Sequence, residues 1–305
     1  MSKTDLVSIV ITTYGRTDFL KKALESASSQ TYSNTEIILV DDNAEKEDVR
    51  AQVIEIAKAY PVHKLILNEK NLGGSFSRNE GIKAAQGSFI SFLDDDDVYH
   101  PERIDKYMNE YKKCADEKVG LIYSFVDEIS EDGKKIKEYR ITVDKNPLYQ
   151  HMCGCLAATS QWIVPRHVFD EVGMFEDSPC KQDSIMMLKI LGVGYRPLCV
   201  EEALGYYRAH DQGRISGVSE KNVMGLINFR DWCRKYYDRI TEKEQKAVEA
   251  NFAGQLLTLF VLLGNRREAK KQLKVIAKNQ LLSGIMAKSI IKCYIGKNYL
   301  KLAKK

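Results

Sequence analysis

Ser88-Phe89-Ile90-Ser91-Phe92-Leu93 runs directly into Asp94-Asp95-Asp96-Asp97. The six leading residues have the length and the apolar and aromatic content of a buried strand. His100-Pro101-Glu102, just past the acids, reads as a helix start with Pro at the first helical position. The acids therefore fall on a strand-to-helix turn, where open α/β sheets place their ligand sites. Four like charges at a strand end repel one another, so positive charge is expected beside them. Oxygen-only ligands suit Mg²⁺ or Mn²⁺, and a divalent ion beside acids points to a phosphate-bearing partner. The plainer reading is a solvated acidic loop that caps a helix N-terminus. One Asp would satisfy that, and four exceed it.

Upstream of this run the chain alternates strand-like and helix-like segments. Val7-Ser8-Ile9-Val10-Ile11 reads as a strand, and Phe19, Leu20, Ala23, Leu24 and Ala27 mark one face of a helix. Glu36-Ile37-Ile38-Leu39-Val40 is the next strand, ending at Asp41-Asp42, with a helix through Val53, Ile54 and Ala57 behind it. Lys64-Leu65-Ile66-Leu67 is a third strand, and residues 75–86 form a helix with Gly87 expected as its C-terminal cap. This βαβαβαβα order predicts a mostly parallel sheet with helices on both faces.

Downstream, 121–126 and 137–141 flank Glu131-Asp132-Gly133 and predict a hairpin. A short strand is expected around Trp162-Ile163-Val164, then a loop through Gly173 and a helix from about Asp183 to Leu191. Beyond Asn222 the pattern is helical, over 223–237, 242–263, 266–278 and 285–302. The expected organisation is a catalytic-looking α/β part over 1–220 and an all-helical region over 221–305.

The 305 residues suffice for one large domain with an appendage, or for two domains. Seven cysteines, an odd number without a CxxC pair, argue for reduced thiols and against a disulfide framework or zinc ribbon. Cys153-Gly154-Cys155 is the only close pair and reads as buried small residues. There is no charged-apolar-small leader, and the longest apolar run, 256–263, is far too short to span a bilayer, so a cytoplasmic protein is expected. The net charge of +4 conceals a polarity. Residues 264–305 carry ten Lys and two Arg against Glu268 alone, which leaves the first 263 residues net acidic. That basic tail is either a solvated helix face or a contact with an anionic surface.

Three further features belong to the same sheet rim as the acidic run, because parallel strands put all their C-terminal ends on one side. The first strand ends in Thr12-Thr13-Tyr14-Gly15-Arg16, and the second in Asp41-Asp42-Asn43. The third is followed by Asn71-Leu72-Gly73-Gly74-Ser75-Phe76-Ser77-Arg78-Asn79. A pocket built from them has an aromatic for a base, acids for base and ribose hydroxyls, and a cation with a metal for a diphosphate. Each piece alone is weak. The glycine loop is neither GxxxxGK[ST] nor GxGxxG, Asp41-Asp42 could be turn formers, and Arg78 could be an exposed helix residue.

Together these four ordered motifs, with Arg78-Asn79-Glu80-Gly81 extending the third, resemble those of family 2 glycosyltransferases with the GT-A fold, over about residues 5 to 216. The resemblance implies that Thr12, Tyr14 and Asp42 hold the nucleotide base and that Arg78 lies near the donor. It implies that Asp94 and Asp96 serve ribose and metal, with Asp96 the ligand to Mn²⁺ or Mg²⁺ and Asp95 sharing the role if the register shifts by one. Gly15 departs from the family's common Pro-Thr-Tyr-Asn yet keeps the turn possible.

The resemblance further implies inverting transfer, with one carboxylate deprotonating the acceptor hydroxyl. Asp183 in Cys180-Lys181-Gln182-Asp183 matches the family's Glu-Asp motif at its second acid only, and an N-cap for its helix is the alternative role. Tyr207-Arg208-Ala209-His210 with Arg214-Ile215-Ser216 resembles a segment that closes over the donor. It makes His210 a third metal ligand and puts Arg214 and Ser216 on the diphosphate. Trp162 either stacks on an acceptor sugar or belongs to the core, the commoner fate of a lone Trp between apolar neighbours.

The activity so implied is transfer of a sugar from a nucleotide-diphosphate donor, a UDP-sugar first, to a hydroxyl of a glycan, lipid-linked or polymer acceptor, with no nucleic-acid partner. A sugar-phosphate nucleotidyltransferase is one alternative, but it wants a basic glycine-rich N-terminal loop, and residues 12–18 offer only Arg16. A non-catalytic glycan-binding module of the same fold is another, and it would tolerate loss of Asp96 or Asp183, both present. For 281–305, an amphipathic basic helix, the two readings are a helical cap or homo-oligomer contact, and a peripheral contact with the inner face of the plasma membrane.

Overall fold

β-Branched and aliphatic residues alternate faces along Val7–Thr13 (β1), and the sheet grows outward from this central strand. The computed structural model describes residues 5–114, 116, 118–210 and 218–279. Thr35–Asp41 (β2) pairs parallel with β1 on one side and Phe89–Asp94 (β4) parallel on the other, while Lys64–Leu67 (β3) pairs parallel beyond β2. In this register Thr12 stands level with both Val40 and Asp94, so the first, second and fourth motifs end on one rim.

The sheet has nine strands in the order β3-β2-β1-β4-β8-β6-β9-β5, with β7 on β6. Its far half is mixed. Val119–Ile129 (β6) pairs antiparallel with Lys135–Tyr139 (β7), the expected hairpin, and parallel with Arg196–Arg208 (β9). Ile163–Pro165 (β8) runs antiparallel to β4 and β6, and the two-residue Val98–Tyr99 (β5) runs antiparallel to β9.

Thr17–Ser28 (α1), Glu47–Lys58 (α2) and Arg103–Lys113 (α4) bury their apolar stripes in one cluster with Val7, Ile9 and Ile11. Val10 points to the other face, against Gly73–Ala84 (α3), where a Cβ on Gly81 would come within 2.2 Å of its side chain. The helix can lie that close because residue 81 has no side chain.

Contacts divide the chain into two compact units. One comprises Met1–Pro147, Leu156–Asp177 and Lys189–Asp211 and carries the whole sheet; the other comprises Leu148–Cys155, Ser178–Leu188 and Gln212–Lys305. A single boundary at residue 220 leaves out two early segments of the second unit. They contribute most of Pro147–Cys153 (α5) and the first turns of Gln182–Gly192 (α7). Glu220–Arg234 (α8), Glu242–Leu263 (α9) and Arg266–Asn279 (α10) complete the described part of that unit.

The side chain and backbone amide of Thr241 and those of Glu244 cap α9 reciprocally. Ala253, Leu257 and Val261 of α9 close on Ala269 and Ile276 of α10. By length and composition alone α9 is long and apolar enough to cross a membrane, with mean hydropathy 1.3 in its most apolar window, which the short run 256–263 did not suggest. Of that run, Leu256, Leu257 and Val261 are buried and Leu263 is exposed. The expected helix over 285–302 and the tail contact over 281–305 lie outside the described residues.

Several local expectations are corrected. Gly87 does not cap α3. Ala85, in extended conformation, does, and the Gly87 amide donates instead to Ser8 Oγ at 2.9 Å. The acids lead into β5 and not directly into a helix, so α4 starts at Arg103, with Pro101 ahead of it. The expected loop before Gly173 contains Arg166–Val172 (α6), which Gly173 ends at φ +80°. Cys155 is exposed and Cys153 half-buried, so that pair is not a buried one.

Candidate active site

The chain's own cations supply the positive charge that the acidic run calls for. Arg78 Nη2 reaches Asp94 Oδ1 at 2.5 Å. Arg16 pairs through Nε with Asp95 Oδ1 at 3.4 Å and through Nη1 with Asp96 Oδ2. His210 Nε2 meets that same Asp96 oxygen at 2.9 Å.

The four acids divide into two kinds. Asp95 points inward, accepting from Thr13 Oγ1 at 2.8 Å and from the Tyr14 amide at 3.1 Å, and so ties the fourth motif to the first. Burial pushes its carboxyl up to about 6, with Arg16, Thr13 and Tyr14 pulling the other way. Asp97 is also buried. Its carboxylate accepts the Arg208 amide at 3.3 Å, and burial, then the charge of Asp94, pushes it up to about 7. Asp94 and Asp96 are only half-buried.

Asp94, Asp96 and Asp97 each offer an oxygen within 4.8 Å of the others. Three hard oxygen donors at that spacing fit a divalent cation of the Mg²⁺ or Mn²⁺ type, and two of them, Asp94 and Asp96, are partly exposed. Asp97 is the member that the resemblance did not point to, and Asp95 is not part of this group.

The other expected base and donor residues lie on the same rim. Tyr14 is 40 % exposed, with Lys46 Nζ 3.6 Å above its ring. Gly15 sits at φ +82°, and a Cβ there would come within 3.0 Å of Lys46 Nζ. Asn, the family's usual residue, is the side chain that best tolerates such backbone, which explains the exchange. Asp42 is buried and shapes the glycine loop, accepting Asn68 Nδ2 at 2.7 Å and the Leu72 and Gly73 amides at 2.8 Å each. Gly73 holds φ +77° to present that amide.

A second layer fixes the acids from below. The Asp94 amide donates to Ser160 Oγ at 3.1 Å. The 3-10 turn Thr159–Gln161 that carries Ser160 is gripped by α4: Arg103 donates to the Ser160 carbonyl and, at 3.3 Å, to that of Trp162, and Tyr107 donates to the Gln161 carbonyl at 2.8 Å. Arg103 is fully buried between the rings of Tyr99 and Tyr107. Trp162 is fully buried, stacked on Phe175 with its indole N–H on the Ala157 carbonyl, so it belongs to the core.

Asp183 lies in the second unit. Helix α7 begins at Gln182, two residues earlier than an N-cap role for Asp183 requires. Asp183 therefore sits in the first turn, accepting from the Ser184 amide at 2.7 Å. Lys181 before it is held at φ +65°, a strained backbone that persists only where the surroundings enforce it. In the same unit His151 Nε2 lies 2.9 Å from the Ser184 carbonyl, and burial pushes its imidazole down to about 4, which keeps it neutral. Arg214 and Ser216 lie outside the described residues.

Arg16 and Asp97 stand inside the quoted motifs but were given no site role, and Lys46 and Arg103 were not named from the sequence. Arg16 had a signal, since it closes the first motif on the same rim. Arg103 had none, because its carbonyl partners come from a turn some sixty residues on.

A family model described as Glycosyl transferase family 2 matches residues 8–167. An uncharacterized glycosyltransferase of Rickettsia felis is 27% identical over 282 residues, 87% of this chain and 44% of that protein. The chain thus spans less than half the length of that relative. An uncharacterized glycosyltransferase of Haemophilus influenzae is 25% identical over 94% of this chain and 95% of its own. The amylovoran biosynthesis glycosyltransferase AmsB of Erwinia amylovora is 26% identical over 66% of this chain and 68% of its own.

Among solved structures, S. aureus TarS 1-349 in complex with UDP-GlcNAc superposes with TM-score 0.60 at 14% identity, over 91% of this chain and 93% of that one. The mannosyltransferase PcManGT of Pyrobaculum calidifontis, in complex with GDP-Man and Mn²⁺, superposes with TM-score 0.59 at 16% identity, over 96% of this chain and 80% of that one. At such identities the likeness carries the fold, which is the GT-A fold.

Proposed function

The chain belongs to glycosyl transferase family 2, and on that premise we propose that it is a metal-dependent inverting glycosyltransferase that moves a sugar from a nucleoside-diphosphate donor, a UDP-sugar first, to a hydroxyl of a glycan or cell-envelope polymer. The observation that carries this reading is the gathering of Tyr14, Arg78 and the acids 94–97 on one rim of β1 and β4, tied together by the Thr13 and Tyr14 bonds to Asp95.

In this reading Tyr14 offers a ring face to the base, Thr12 and Asp42 flank it, and Arg78 meets the donor's anionic groups. Asp94, Asp96 and Asp97 would hold the divalent ion, with His210 beside Asp96; the bound ion offsets charge on the departing diphosphate. The acceptor oxygen bonds to the anomeric carbon as the bond from that carbon to the diphosphate oxygen breaks, and Asp183 takes the acceptor's proton. TarS and PcManGT, captured with UDP-GlcNAc and GDP-Man, support a nucleotide-sugar donor. The basic segment 281–305 suits a peripheral contact with an anionic inner leaflet. Unchanged liposome binding after its deletion would reject that placing.

The test is thermal stability of wild type and Asp96→Ala against UDP, GDP, CDP and ATP, each with and without Mn²⁺. A ligand at a hundredfold excess over its dissociation constant adds about 2.7 kcal/mol. The expected result is metal-dependent stabilisation by one nucleoside diphosphate, absent in Asp96→Ala. Indifference to every nucleotide would remove the donor pocket and leave a binding module.

A further inference from the structure

Arg16 holds the place on Asp96 that a divalent ion needs. Its Nη1 and His210 Nε2 share the Asp96 Oδ2 atom, and its Nε stays on Asp95 Oδ1 at 3.4 Å. Asp96 is one of the three acids whose oxygens group within 4.8 Å, whereas Asp95 is outside that group. The guanidinium is thus anchored at one end to an acid that does not face the ion and extends at the other onto one that does. A unit charge and a divalent charge a few ångströms apart repel by several kcal/mol even at an effective dielectric of about 20. Both cannot rest on Asp96 at full strength. The side chain of Arg16 is 24% exposed, so it has open space to swing into.

Resting on the metal-site reading above, we propose that Arg16 is a built-in competitor for the divalent ion: it neutralises Asp95 and Asp96 in the ion-free protein and must leave Asp96 for the ion to bind. The charge that keeps four adjacent carboxylates together is then the same charge that weakens the site for free metal. Arg78 differs in that it pairs with Asp94, a member of the group, without the second pairing to an acid outside it that Arg16 makes with Asp95.

The test is a Mn²⁺ titration of the full chain without nucleotide, with free Mn²⁺ followed by electron paramagnetic resonance, for wild type, Arg16→Met, Arg16→Lys and Asp96→Asn. Arg16→Met removes the charge and keeps much of the volume, and it is expected to bind Mn²⁺ about tenfold more tightly than wild type. Arg16→Lys, which keeps the charge, stays near wild type, and Asp96→Asn loses binding. Equal or weaker binding by Arg16→Met, with wild type and Asp96→Asn behaving as stated, overturns the competitor role alone. Binding lost in none of these variants, or absent from all, overturns the metal site and the competitor together. If Arg16→Met does not fold, Arg16→Gln carries the same expectation.

Discussion

Two strands flanking β1 end in acids on the same rim, and they use them in opposite ways. At the end of β2, Asp41 and Asp42 are buried and saturated. Asp41 holds Arg50 Nε and Asn43 Nδ2, each at 2.6 Å, and Asp42 holds Asn68 and two backbone amides of the glycine loop. At the end of β4 Asp95 and Asp97 accept backbone amides, those of Tyr14 and Arg208, while Asp94 and Asp96 rest on the side chains of Arg78, Arg16 and His210. A backbone amide cannot leave its acceptor without unfolding the loop, whereas a side-chain cation can exchange for another cation. On the proposed reading the first acidic end chiefly shapes its loop and the second is the receptor, although the residue types and the topological position are alike.

The strongest way to break this contrast is Asp42→Ala. Three donors lose their acceptor in a buried setting, and at 1–3 kcal/mol each, softened by water at the half-exposed loop, the loss is about 3–4 kcal/mol. A urea melt should show it, whereas Asp96→Ala should leave the ion-free protein near wild-type stability. Equal losses in the two variants would erase the distinction.

A comparable effect is expected in the pH dependence of the ion-free protein. Asp95 and Asp97 have folded-state values of about 6 and 7, above the ordinary 3.8, because burial disfavours their charged forms. The folded state then binds more protons than the unfolded one, so this contribution is fully present below about pH 4 and is lost as pH rises to about 7, on the order of 3 kcal/mol. Asp97→Asn should be more stable than wild type at pH 8 and indistinguishable from it at pH 4. The opposite order in melts at the two pH values would contradict the burial argument.

The smallest effect sharpens the receptor side. Tyr14→Ala removes the exposed ring face beneath a base, a loss of about 1–2 kcal/mol, or roughly five- to thirtyfold in the dissociation constant of the favoured nucleoside diphosphate. Calorimetric titration should show that loss without a change in melting temperature, since the ring is half in solvent.

The near half of the sheet was legible in the residues. Lys64–Leu67 stands where its pattern puts it, and the other strand–helix units fall within a few residues of expectation because period 2 and period 3.6 are properties of the local chain. The far half was legible only in part: the β6–β7 hairpin and the short β8 were expected, whereas β9 and α6 were not. β9 reads poorly as a strand, with Glu201 and Glu202 exposed within it, and it holds its place by pairing with β6 from Arg196 to Val200 and again from Ala203 to Arg208, the two glutamates falling in a register shift between. α6 is seven residues long, too short to declare a periodicity. Gly87 looked like a cap because it follows a helix, yet its missing side chain is needed against Ser8, where a Cβ would meet Oγ at 2.6 Å.

By itself the sequence determined the order of the strands and helices, the rim on which the motifs meet, and the need for positive charge at Asp94–Asp97. These follow from hydrophobic periodicity, turn chemistry and charge repulsion, which act between neighbours in the chain. Only the tertiary structure decided which acids face inward and which outward, that Asp97 and not Asp95 groups with Asp94 and Asp96 at a spacing that fits a cation, and that Arg16 and His210 share one oxygen of Asp96. Those outcomes depend on which atoms, eighty to more than a hundred residues apart, arrive within 3 Å of each other. Burial and pairing of that kind are properties of the folded arrangement and are written in no local run of residues.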